Sequence, residues 1–284
     1  MKILAGIVTY NPDLKKLEKN LQAIIKQVNM VLIVDNGSEN FAEIKSLSEN
    51  YGNEILSLEK NLGIAYALNE ILKKAIREKY DWFLTLDQDS VSSKTLIADY
   101  IEEIMSKNKT EIGAMTCVIR DSNIHANERQ MFMDSTESIE VEECITSGCL
   151  CNTNAFQKIK GFDNSLFIDC VDNDVCLNLR KNNYKIIKVL KHVNLYHEMG
   201  EARFKNILGK KVLTYNEKPF RHYYISRNWI LLSRKYNQHF LGRVIRIWLK
   251  SVLFEPNRIK MSKATFWGIF DGLHNKSGKL DRRI

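Results

Sequence analysis

The chain opens with an unbroken apolar run, Ile3 to Val8, and then changes period. From Asp13 to Val28 the apolar positions Leu14, Leu17, Leu21, Ile24, Ile25 and Val28 recur at helical spacing, which predicts an amphipathic helix. The alternation then repeats. Val31 to Val34, Glu54 to Leu58 and Asp81 to Leu86 read as strands, and Phe41 to Glu49 and Ile64 to Ile76 as helices. Further strands are expected near Ile112 to Ile119 and Ile186 to Val189, with a helix through Cys176 to Arg180. Strands alternating with helices of this length predict βαβ units and a mostly parallel α/β sheet.

The unusual polar residues fall where such strands end. They are Thr9-Tyr10-Asn11-Pro12, Asp35-Asn36-Gly37-Ser38, Asn61-Leu62-Gly63 and Asp87-Gln88-Asp89. Each alone is a turn signal. Four at successive strand ends point to one ligand crevice, because open α/β sheets bind ligands outside the carboxyl ends of their strands. Asp87 and Asp89 repel one another unless a divalent cation lies between them, and such a cation commonly carries phosphate oxygens. Downstream, Asp169, Asp172 and Asp174 crowd six residues before a helix. A helix N-terminus uses one carboxylate as a cap, so at least one of the three is available as a general base.

Composition is that of a globular protein, with 44% apolar and 27% charged residues. Charge is uneven: residues 1–200 carry a net −6 and residues 201–284 a net +14. A basic tail of this kind is expected to meet an anionic surface. Within it, residues 238–254 place Arg243, Arg246 and Lys250 on one helical face. Phe240, Leu241, Val244, Ile245, Trp248, Leu249 and Val252 fill the other. That pattern suits a helix packed on the domain or one lying in a membrane interface. The N-terminal apolar run is too short for a signal peptide and no stretch nears the roughly 18 apolar residues of a membrane span. The expectation is a cytoplasmic protein, peripheral at the inner face of the cytoplasmic membrane. The six cysteines lack C-x-x-C spacing and read as free thiols. No G-x-S-x-G segment is present, and the basic tail carries no RNA-binding motif, so no nucleic-acid partner is expected.

The ordered set Val8-Thr9-Tyr10-Asn11, Val34-Asp35-Asn36-Gly37-Ser38, Asn61-Leu62-Gly63-Ile64-Ala65 and Leu86-Asp87-Gln88-Asp89 resembles the nucleotide-sugar half of inverting family-2 glycosyltransferases with the GT-A fold. Thr146-Ser147-Gly148, Phe162 to Asp174, His197-Glu198-Met199-Gly200, Tyr223 to Asn228 and Gly268 to Leu273 extend the resemblance over nearly the whole chain, toward bacterial rhamnosyltransferases that use dTDP-L-rhamnose. The resemblance implies a GT-A catalytic domain over residues 1–200, with a nucleotide-sugar half to residue 110 and an acceptor half beyond it. Residues 201–284 would be a helical, basic C-terminal extension. Thr9, Tyr10, Asn11 and Asp35 would hold the nucleobase, with Asp35 accepting from a base N–H. Asn61, Gly63 and Ala65 would approach the ribose and diphosphate, and Asn36 and Gln88 belong to the same donor set. Asp87 would lie near ribose and metal, and Asp89 and His197 would ligate Mn2+ or Mg2+. Asp172 would be the base, with Asp169 and Asp174 as rivals. Many members have Glu-Asp at that position, whereas here Val171 precedes Asp172. Arg227 and Asn228 would face the phosphates or the acceptor. The acceptor implied is a lipid-linked glycan of bacterial surface polysaccharide such as O-antigen or capsule. The alternatives are a transferase of another UDP- or dTDP-sugar and an inactive nucleotide-sugar-binding scaffold. Oligomeric state is left open.

Overall fold

In chain order the elements are β1 (Ile3–Thr9), α1 (Leu14–Ile24), β2 (Met30–Asp35), α2 (Phe41–Asn50), β3 (Glu54–Ser57), α3 (Ile64–Arg77), β4 (Trp82–Asp87), β5 (Val91–Ser92) and α4 (Leu96–Ser106). There follow β6 (Ile112–Asp121), β7 (Ile139–Glu140), β8 (Cys149–Asn152), α5 (Thr153–Lys158), α6 (Val171–Lys181), β9 (Lys185–His197), β10 (Arg203–Ile207), β11 (Lys210–Thr214), α7 (Pro219–Tyr236), α8 (Leu241–Phe254) and α9 (Arg258–Leu273). This computed structural model describes residues 1–121, 138–197, 203–207, 210–214, 218–254 and 257–281.

The sheet runs β3-β2-β1-β4-β8-β6-β9-β5, with β7 also paired to β9, and β10–β11 form a separate hairpin. β1, β2, β3 and β4 are mutually parallel, as are β6 and β9, while β8 runs antiparallel between β4 and β6. The period-2 alternation of the strands divides the core. Leu4, Val8, Leu32 and Val34 face α3, α5, α6 and α7, while Ile3, Ala5, Ile7 and Ile33 face α1, α2 and α4. Both faces of β1 are therefore covered, which is why it reads as a continuous apolar run.

The expected strands and helices of the first 90 residues are all present, within a few residues at their ends. β8 escapes the pattern because four residues, Cys149 to Asn152, are too few to show a period. α7 escapes it for another reason: it is buried nearly all round, and His222, Ser226, Arg227 and Asn228 are among its buried residues. A helix with polar groups inside has no apolar stripe to read.

The C-terminal helices are fused to the body of the protein. Trp229 and Leu232 of α7, with Phe240 and Val244, join the same core as Leu4 and Phe83. α9 packs against α7 through Gly268 and Gly272. A Cβ at Gly268 would stand 2.4 Å from the Tyr223 carbonyl oxygen, so only glycine allows this approach. α8 splits its apolar face: Val244 is buried, whereas Leu241, Ile245, Leu249 and Leu253 are exposed beside Arg246. No helix among the described residues is long and apolar enough to cross a membrane.

Candidate active site

The four strand-end loops meet at the carboxyl edge of β1–β4. Asp35 organises the first two. Its Oδ1 accepts from Thr9 Oγ1 at 2.9 Å and Ser38 Oγ at 2.5 Å, and its Oδ2 from the amides of Gly37 at 3.1 Å and Ser38 at 2.9 Å. Its four acceptor positions are thus filled from within the chain. In this structure Asp35 is fully buried and ties the loops after β1 and β2 together.

Around it the loops are cross-linked. Asn36 Oδ1 accepts from the Leu62 amide at 2.9 Å, and Asn61 Oδ1 from the Gly63 amide at 3.0 Å. Asn11 exchanges bonds with the next loop, its amide donating to Ser38 Oγ at 2.8 Å and its Oδ1 accepting from Glu39 N at 2.8 Å. Gln88 Oε1 accepts from the Tyr10 amide at 2.8 Å, and the Tyr10 ring stays exposed. Gly37 and Gly63 have φ values of 82° and 94°. A Cβ at Gly37 would stand 2.5 Å from Lys60 Cα, and one at Gly63 2.5 Å from the Phe167 carbonyl oxygen. Both positions require glycine for conformation and for space. Ala65 departs from the expected close approach to the donor: it points into the core below α3 and is fully buried.

Asp87 ends β4. Its amide donates to Ser147 Oγ at 3.1 Å, and its carbonyl accepts from Asn20 Nδ2 at 2.8 Å. Ser147 in turn bonds Ser90 at 2.7 Å. Asn20 was not anticipated from sequence. The signal was a polar residue on the buried stripe of α1, beside Leu17, Leu21 and Ile24. Asp89 is half-buried in the turn between β4 and β5. Val91 pairs with Tyr196, which brings the backbone of His197 to the edge beside that turn; the His197 side chain lies outside the described residues.

The three downstream aspartates have separate surroundings. Asp174 accepts from Tyr236 OH at 2.8 Å and is ion-paired with Lys235 at 2.8 Å. Asp169 is ion-paired with Arg221 at 2.5 Å. Asp172, in the first turn of α6, accepts from the Asn173 amide at 2.9 Å and has no cationic partner among the described residues. Burial pushes its carboxyl up to about 6, opposed by the Asn173 amide and reinforced by the charges of Asp169 and Asp87. Arg227 and Asn228, expected at the phosphates or the acceptor, are instead buried at 1% and 0% exposure beneath the loop that carries Asp169.

The donor set at the β4 end suits a hard divalent cation, since Asp87 and Asp89 offer carboxylate oxygens. Among the described residues no group of three or more His, Cys, Asp or Glu side chains is placed to hold a metal alone. Two carboxylates completed by phosphate oxygens and water is the usual arrangement for Mg2+.

A mixed sheet with this crevice, a paired-carboxylate turn at its centre and a helical C-terminal region is the GT-A architecture of nucleotide-sugar transferases. The family model of glycosyl transferase family 2 matches residues 5–166, and the chain belongs to that family. It is a glycosyltransferase. Its sequence is 27% identical to the dTDP-rhamnosyl transferase RfbF of Shigella flexneri, over 97% of each chain. Among solved structures, residues 1–349 of TarS from S. aureus in complex with UDP-GlcNAc superpose with a TM-score of 0.60, at 15% identity, covering 97% of this chain and 82% of that one. The same TarS fragment with UDP superposes with a TM-score of 0.55, covering 96% of this chain and 72% of that one.

Proposed function

We propose that the protein is an inverting rhamnosyltransferase, moving L-rhamnose from dTDP-L-rhamnose to a hydroxyl of a lipid-linked glycan in bacterial surface polysaccharide synthesis, such as O-antigen or capsule. The observation that carries the chemistry is Asp172. It is a carboxylate in the first turn of α6, without a cationic partner among the described residues and raised to about 6. The observation that supports the donor is the end-to-end match to a dTDP-rhamnosyl transferase.

The residues divide the work. The loops cross-linked by Asp35, Asn36, Asn61 and Asn11 shape the nucleotide side, with the exposed Tyr10 ring available to a base. Asp87 and Asp89, with His197 from the end of β9, would hold Mn2+ or Mg2+ near the diphosphate. A cation bound there stabilises the charge of the departing dTDP. Asp172 takes the proton of the acceptor hydroxyl as its oxygen attacks the anomeric carbon. The C–O bond to the diphosphate breaks on the opposite side and configuration inverts. Asp169 carries its charge against Arg221, which leaves Asp172 to accept the proton.

Calorimetry of dTDP-rhamnose, UDP-glucose, UDP-galactose and GDP-mannose, each with and without Mn2+, tests the donor. Metal-dependent binding of dTDP-rhamnose alone is expected. Preference for a UDP-sugar would discard the rhamnosyl reading and keep the fold, while no binding to any of the four would remove all of them as donors.

The setting proposed is peripheral attachment at the inner face of the cytoplasmic membrane. It is supported by the exposed apolar stripe Leu241, Ile245, Leu249 and Leu253 of α8, bordered by Arg246. α9 exposes a stripe of its own, Ile259, Phe266, Phe270 and Leu273. Apolar residues edged by cations suit an anionic interface. Removing the tail is a poor test, because α9 packs on α7 and Tyr223 OH donates to Asp271 at 2.8 Å. Surface variants avoid this. Leu249→Asp combined with Arg246→Glu is expected to lower flotation with phosphatidylglycerol vesicles severalfold, most at low salt. Unchanged partitioning would remove the membrane from the proposal.

A further inference from the structure

The turn that leads into α6 is held in an unfavourable backbone conformation. Phe167, Asp169 and Cys170 have φ values of 64°, 63° and 59°, in the left-handed region that residues with a Cβ enter only at a cost. Three such residues among four persist only where their surroundings hold them there.

Two adjacent side chains of α7 do the holding. Asn228 Nδ2 donates to the carbonyls of Leu166, Ile168 and Asp169 at 3.0, 2.8 and 2.8 Å. Arg227 Nη2 donates to the carbonyls of Leu166 at 2.9 Å and Ser165 at 3.4 Å. Its Nη1 donates to the Gly278 carbonyl at 2.6 Å and its Nε to Asn228 Oδ1 at 2.9 Å. Arg227 forms no ion pair among the described residues. Its charge is met by carbonyl oxygens and by the rings of Tyr223 and Tyr224, whose centroids lie 5.6 and 4.7 Å away. The guanidinium also ties in the C-terminal segment, where the Gly278 amide donates to Ser165 O at 2.6 Å and the Leu280 amide to Tyr224 OH at 2.8 Å. The turn meets the donor side as well, since the Ile64 amide donates to Phe167 O at 2.8 Å.

We infer that Arg227 and Asn228 are positioning residues. By gripping the carbonyls of Ser165, Leu166, Ile168 and Asp169 they hold the left-handed turn that leads into the first turn of α6, where Asp172 stands. This rests on the reading of Asp172 as the base. Both side chains are spent on backbone carbonyls and buried, so neither has an atom left for phosphate or sugar. When the grip is lost the donor loops keep the bonds of Asp35, Asn36 and Asn61, whereas the base is misplaced, and a displacement of about 1 Å can cost a hundredfold in rate.

The test measures transfer kinetics and calorimetric donor affinity on Asn228→Ala, the milder Asn228→Ser, and Arg227→Lys, with Asp172→Asn in parallel. Asn228→Ala is expected to lower kcat about ten- to a hundredfold while donor Kd and KM stay within about twofold. Arg227→Lys keeps the charge and loses the fork, and is expected to behave alike. Donor binding also reports folding: if Asn228→Ala or Arg227→Lys fails to bind donor at all, Asn228→Ser decides. A tenfold rise in donor Kd at unchanged kcat in any folded variant would make these residues donor ligands and overturn the inference. So would native kcat in Asn228→Ser and Asn228→Ala together while Asp172→Asn is inactive. Native transfer by Asp172→Asn instead marks failure of the base assignment, and with it of the inference built upon it.

Discussion

Asp172→Asn is expected to bind the donor with native affinity and to transfer sugar about a hundred- to ten-thousandfold more slowly, the usual contribution of a positioned general base. The substitution keeps shape and one hydrogen-bond acceptor, so the Asn173 amide retains its partner. What is lost is the capacity to take a proton. A second consequence has the opposite sign. The folded-state value of about 6 exceeds the ordinary carboxylate value because burial disfavours the charge. The ionised group therefore opposes folding above pH 6, and that opposition fades as pH falls through 6 toward 4. At neutral pH the rise corresponds to about 3 kcal/mol. Asp172→Asn relieves it, so the variant is expected to melt at a higher temperature than the native chain while being nearly inactive. The native rate is expected to fall as pH drops through about 6, where Asp172 becomes protonated, and a cation held near Asp87 shifts that limb lower. Release of dTDP followed by chromatography from pH 5 to 8, with a melting curve of each protein, checks all three. Undiminished transfer by the variant would take the base role from Asp172 and pass it to Asp169.

Asp89→Ala is expected to remove the Mn2+-dependent part of donor affinity and to slow transfer by about a hundredfold or more, since stabilisation of the departing diphosphate is among the largest contributions in such chemistry. Asp89 stands in the short turn between β4 and β5, and Asp87 is anchored by Ser147 and Asn20 through its backbone. The backbone at Asp87 is thus held by groups other than the Asp89 side chain, and the variant is expected to fold. Titrating Mn2+ into protein and donor, followed by the paramagnetic signal of the free ion, reads the effect directly. Mn2+-dependent binding equal to that of the native chain would show that the cation, if used, is held elsewhere.

Much of this site was legible before any coordinates. The loops after β1, β2, β3 and β4 were visible because parallel strands buried on both faces leave continuous apolar runs, and polar residues stand out at their ends. Ala65 misled the reading. It belongs to the Asn61-to-Ala65 motif, yet the second residue of α3 turns toward the core rather than toward the crevice. Arg227 and Asn228 misled it in another way. Conspicuous polar residues suggest ligands, and only packing showed that their partners are the carbonyls of a strained turn some 60 residues earlier in the chain. Likewise the cluster Asp169, Asp172 and Asp174 could not be sorted from spacing. Arg221, Lys235 and Tyr236 lie some 50 to 60 residues away in sequence, and which carboxylate each one meets depends on how α7 crosses α6.

The sequence by itself determined the sheet's first half, the crevice at its edge and the carboxylate pair at its centre. Those features are local: a hydrophobic period, a turn residue and two charges at fixed spacing are each set within a few residues. Only the tertiary structure decided which of the three aspartates meet a cation, which loops Asp35 ties together, and that the C-terminal helices share the main core. Those outcomes depend on contacts between segments far apart in the chain, where burial and a partner's charge, rather than local pattern, set what a side chain can do.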